Sequence, residues 1–141
     1  ISEELGDTLA LTRDLEALIH VKPFAFDACL KLARAAQSVG DYDRVADYLE
    51  KAIALNPYDQ GVHRSLAAAA MEQLDYETAI REYTVLLALD DTDPALANAN
   101  LAEAFLLHGK KAEAKRYALA ALEIAPMFER AQGILLSTVD P

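Results

Sequence analysis

The chain has 141 residues, is 53% apolar and carries a formal charge of −10; that is room for one compact domain or a short repeat array, excludes a disordered chain, and argues against nucleic acid and anionic membrane surfaces as partners. Ala (28 residues) and Leu (22 residues) make up over a third of the chain, against five Gly and five Pro, which selects helices over a turn-rich sheet. One cysteine, Cys29, excludes an internal disulfide and a cysteine-based metal site, and no apolar run reaches the roughly 20 residues of a membrane span. The chain starts at Ile1 with no basic and apolar leader, which reads as a fragment or a processed product.

In chain order, the first predicted element lies between Gly6 and Pro23 and is centred near Asp14. It carries Leu9, Leu11, Leu15, Leu18 and Ile19, more apolar surface than one neighbour covers. Next come paired helices centred near Lys31 and Ala46, Ala67 and Arg81, and Ala102 and Ala118, then a lone helix near Leu135. The apolar positions Ala28, Cys29, Leu32, Ala33, Ala36 and Val39, and then Val45, Leu49, Ala52, Ile53 and Leu55, have helical spacing. Gly40 and Gly109 suit the left-handed end of a first helix, Asp41 suits the cap of the second, and Pro57 and Pro126 stop the second helix.

The punctuation is periodic. Pro23 and Pro57 are 34 residues apart and Pro126 follows after 69; Gly6, Gly40 and Gly109 repeat the same two intervals. Each period is a helix hairpin that cannot bury its apolar face alone, so neighbours stack. Residues 1–25 form a partial repeat, 26–59, 60–94 and 95–128 form three whole repeats, and 129–141 form a C-terminal capping helix.

On Leu32, Ala33, Gly40, Asp41, Tyr42, Ala52 and Pro57, and their counterparts further along, the chain resembles the tetratricopeptide repeat family. The second repeat departs from it with Leu74 in place of the glycine and Asp91 in place of the proline. The resemblance implies an all-α, right-handed superhelical solenoid of helix-turn-helix repeats that binds a partner protein or extended peptide in its concave groove, with no catalysis and no cofactor of its own. An accessory module of a larger enzyme, such as a peptidase or transferase, is the alternative. Another is self-association, a homodimer through the solenoid ends.

The resemblance also places the groove lining on the first helix of each repeat: Asp27, Leu30 and Arg34; Arg64, Ala68, Met71 and Glu72; and Leu96, Ala99, Glu103 and Leu106. Arg34 and Arg64 sit one helical turn out of register on adjacent first helices, so together they suit a carboxylate, while Leu96 and its neighbours suit an apolar anchor. Chaperone-binding members of the family clamp a C-terminal carboxylate with Lys, Asn and Arg, where this chain has Leu30, Arg34, Ser65, Leu96 and Asn100, so chaperone tails are not expected.

Cys29, His63 and Asn98 occupy one repeat position and together have the composition of a thiol hydrolase triad. Stacked helices place such positions roughly 8–10 Å apart, beyond hydrogen-bond reach, so packing is the expected role. His20, His63 and His108 lack ligand spacing, so no metal site is expected. The acidic residues Asp90, Asp91 and Asp93 read as a solvated loop that caps the next helix.

Overall fold

The computed structural model describes residues 11–13, 25–89 and 92–139. Among them the regular structure is helical throughout: α1 Ala25–Ser38, α2 Tyr42–Leu55, α3 Gln60–Glu72, α4 Tyr76–Ala88, α5 Pro94–Leu107, α6 Lys111–Ile124 and α7 Glu129–Ser137. These seven match the three predicted hairpins and the lone helix after them. Residues 11–13 are helical and Leu11 is 48% exposed; the rest of the predicted N-terminal helix, with Leu9, Leu15, Leu18 and Ile19, lies outside the described residues. No described helix is long and apolar enough to cross a membrane.

The three hairpin turns are built alike. In each, the N–H of the residue after the turn reaches five residues back: Asp41 to Ala36 O at 3.0 Å, Asp75 to Ala70 O at 2.8 Å and Lys110 to Phe105 O at 2.8 Å. That closure requires a left-handed residue just before, and Gly40 (φ 73°), Leu74 (φ 61°) and Gly109 (φ 81°) supply it. Only glycine adopts this conformation without a Cβ penalty. Leu74→Gly is therefore expected to stabilise the protein by about 1 kcal/mol, read as a higher urea midpoint, because the leucine side chain is 69% exposed and little packing is lost.

The second helices start on aspartate caps, Asp41 accepting from the Arg44 N–H and Asp75 from the Thr78 N–H, both at 3.3 Å. Asp59 and Asp93 cap α3 and α5 in the same way. Lys110, at the equivalent place before α6, makes no capping bond. Pro94, counted above as the last residue of the second repeat, is instead a first-turn residue of α5 behind the Asp93 cap. A proline is tolerated there because that N–H has no helical partner to lose.

The chain divides into two compact units, residues 1–69 and 70–141, with α3 crossing the division. In the first unit α1, α2 and α3 close over Cys29, Leu32, Val45, Tyr48, Leu49, Val62 and Leu66. In the second, α5, α6 and α7 meet on small residues, Ala99 with Ala121 and Ala131, and Ala102 with Ala118 and Ile134. Alanine at these crossings lets the helix axes approach closely. Phe105 and Tyr117 stack with centroids 5.4 Å apart and fasten the α5–α6 hairpin.

Candidate binding surface

In the first unit, burying one stripe of each first helix decides what is left outside. α1 buries Ala28, Cys29, Leu32, Ala33 and Ala36, which leaves Asp27 and Arg34 exposed and Leu30 half-buried against the core. α3 buries Val62, His63, Leu66, Ala67 and Ala69, which leaves Arg64 and Ala68 exposed. Arg34 makes no ion pair with the described residues. The guanidinium groups of Arg34 and Arg64 and the methyl group of Ala68 are thus left on the exposed sides of α1 and α3.

The second unit departs from expectation. Met71 is half-buried, Glu72 is exposed and Leu96 is 38% exposed, but Ala99 is completely buried, beneath Ala121 and Ala131. Glu103 is engaged by the Arg130 guanidinium, which also donates to Asn100 Oδ1 at 2.6 Å. Leu106 packs on the cluster of Ala102, Ala118 and Ile134. These three predicted lining residues are thus the seat of α7: the helix needs cover for Ala131 and Ile134, and α5 offers it. The Arg130 and Glu103 charges also act on the nearby Tyr83 phenol. Burial pushes its pKa up, Arg130 pulls it down and Glu103 pushes it up.

The position shared by Cys29, His63 and Asn98 is buried in all three repeats, and at His63 it also acts as a staple. His63 Nε2 lies 2.6 Å from the carbonyl of Pro57, six residues back, and Gln132 Nε2 donates across the same six residues to the carbonyl of Pro126 at 2.9 Å. Where proline is replaced by Asp91, Asn98 turns to the Pro94 carbonyl of its own helix, at 2.8 Å. Gln132 was missed in the sequence, although it keeps the 34-residue register with Asn98. Cys29 is fully buried, and burial pushes its thiol pKa up, with Lys51 opposing. A thiol so placed is not a nucleophile. Reaction with Ellman's reagent is expected to be at least about a hundredfold slower in the native protein than in urea; equal rates would show an accessible thiol.

No protein-family model matches the sequence, and no curated protein matches it significantly. Solved structures do match. The crystal structure of MamA aligns with a TM-score of 0.72 at 20% identity, covering 96% of this chain and 85% of that one. The second TPR domain of human RPAP3, solved in complex with the HSP70 peptide SGPTIEEVD, aligns with a TM-score of 0.69 at 22% identity, covering 80% and 93%. The fold is that of the tetratricopeptide repeat. A Thermobaculum terrenum O-GlcNAc transferase aligns with a TM-score of 0.61 at 23% identity over 80% of this chain and 22% of that one.

In tetratricopeptide terms α1, α3, α5 and α7 correspond to first helices. At the places of the family's carboxylate clamp, Leu30 packs inward, Arg34, Ser65 and Leu96 are exposed, and Asn100 already accepts from Arg130. One guanidinium is the only cation among those five.

Proposed function

We propose that the chain is a protein-interaction module that captures an extended acidic segment of a partner on the first-helix surface of its first unit. The fold carries the general role, because tetratricopeptide domains such as that of RPAP3 hold peptides. The exposed pair Arg34 and Arg64 carries the specific one. Each guanidinium gives two parallel hydrogen bonds to one carboxylate, about twice as strong as neutral ones. The net charge of −10 repels an acidic partner at long range, so recognition acts within a Debye length, about 8 Å at physiological salt. Asp27, exposed on α1, limits how many acidic residues the surface accepts and favours one or two carboxylates over an acidic run. Ala68 leaves room for the partner's backbone, and no reaction of the chain's own is part of this reading.

Photo-crosslinking tests the placement. A benzophenone side chain at Ala68, on α3, is expected to capture the partner from a host lysate, whereas the same probe at Asp47, exposed on α2, is not. Equal yields at both positions would overturn the assignment.

A second reading has one observation behind it: the chain aligns with 22% of a solved O-GlcNAc transferase chain. It would make this array the recognition module of a larger enzyme. A reading frame that continues into a catalytic domain decides for it, and one that does not decides against.

A further inference from the structure

The α3–α4 and α5–α6 turns meet at one edge of the second unit, where the Tyr76 and His108 rings lie 6.2 Å apart and His108 Nε2 is 4.0 Å from the Glu77 carboxylate. Two large apolar side chains stand open there, Leu74 at 69% and Leu107 at 51% exposure. Leu74 is the conspicuous one. It occupies a left-handed turn position that the two sister hairpins give to glycine, and its side chain gains little packing in return. The chain's own stability does not account for a leucine at that place.

Basic residues gather on the α5–α6 side of this edge, while the α3–α4 side carries the exposed Asp75 and Glu77. Lys110, Lys111, Lys115 and Arg116 are all exposed and make up four of the 13 Lys and Arg in a chain of net charge −10. Lys110 stands where Asp41 and Asp75 cap the other second helices, and caps nothing itself. Its ammonium adds to the positive end of the α6 dipole instead of offsetting it. A position that is acidic and stabilising in two hairpins is basic in the third, next to the exposed leucines.

We infer that this edge is a docking surface for an acidic segment of a partner protein carrying one apolar side chain. The carboxylates pair with Lys110 and Lys111, and the apolar side chain packs on Leu74 and Leu107. Glu77 and Glu113, both exposed, interrupt the basic residues. A peptide can place its carboxylates between them, whereas a continuous anionic lipid surface meets their repulsion. The surface is built from residues of the second unit alone and does not use the arginine pair of the first.

The probe is a synthetic peptide, acetyl-Glu-Glu-Asp-Leu-Glu-Glu-amide, titrated into the 15N-labelled chain at low ionic strength. Saturable amide shifts are expected at residues 73–76 and 107–112. Affinity should fall about tenfold or more in Leu74→Gly, a variant that removes the apolar contact while relaxing the turn, and in Lys110→Glu/Lys111→Glu. Lys31→Glu, at an exposed α1 residue used by neither surface, should leave it unchanged. The inference is overturned by no saturable binding below about 1 mM, by shifts confined to α1 and α3, by full affinity in Leu74→Gly, or by equal binding of a peptide with lysines for the acids. Binding of phosphatidylserine vesicles, lost in the lysine variant, in place of peptide binding would overturn it in favour of a membrane.

Discussion

Leu66→Ala is expected to remove about 2–5 kcal/mol of stability, the largest loss foreseen for a single side chain in the first unit. Leu66 is completely buried on α3, in the cluster that joins Leu32 of α1 with Val45 and Leu49 of α2. Truncation loses the transfer energy of three carbons and leaves a cavity that three packed helices cannot collapse. A domain of this size is stable by about 5–15 kcal/mol, so at mid-range values the urea midpoint should fall by roughly a third if the slope is unchanged. Leu96→Ala, on an α5 side chain already 38% exposed, is the matched control and should cost under about 1 kcal/mol. A loss below about 1 kcal/mol for Leu66 itself would mean that α3 does not rest on the α1–α2 hairpin as described.

The fold was legible because its punctuation is chemical. Gly40 and Gly109 mark left-handed turns, Asp41 and Asp75 mark caps, and the proline spacing sets the length of each hairpin, so local chemistry and period agree. The candidate surface was less legible. Ala68 and Ala99 have the same side chain on two first helices, yet one is exposed and the other completely buried. Periodicity tells which face an alanine occupies; it does not tell that α7 comes down on α5 with Ala131 and Ile134. Arg130 and Glu103 read in the sequence as two separate surface charges, and only packing brings them together across 27 residues. The staple made by His63 and Gln132 was hidden by chemistry, since a histidine and a glutamine at one repeat position share no obvious role until the carbonyls of Pro57 and Pro126 are seen as their partners. Leu74 was visible as a departure from the glycine pattern, but its exposure and positive φ had to be seen in the fold.

Replacing both Arg34 and Arg64 by glutamate is the measurement that bears most directly on the proposed function. Each substitution removes a charge-assisted, bidentate contact and places a carboxylate where one is to be bound, so loss and repulsion act together. Calorimetric titration of the partner identified by crosslinking is expected to show at least about a hundredfold weaker binding. Both side chains are exposed, so helicity and the urea midpoint should stay within about 0.5 kcal/mol of the parent. Single lysine replacements should give intermediate losses, because an ammonium keeps the charge but not the planar fork. Affinity that stays within about twofold in the double glutamate variant, with the fold intact, would contradict the assignment of this surface to an acidic partner.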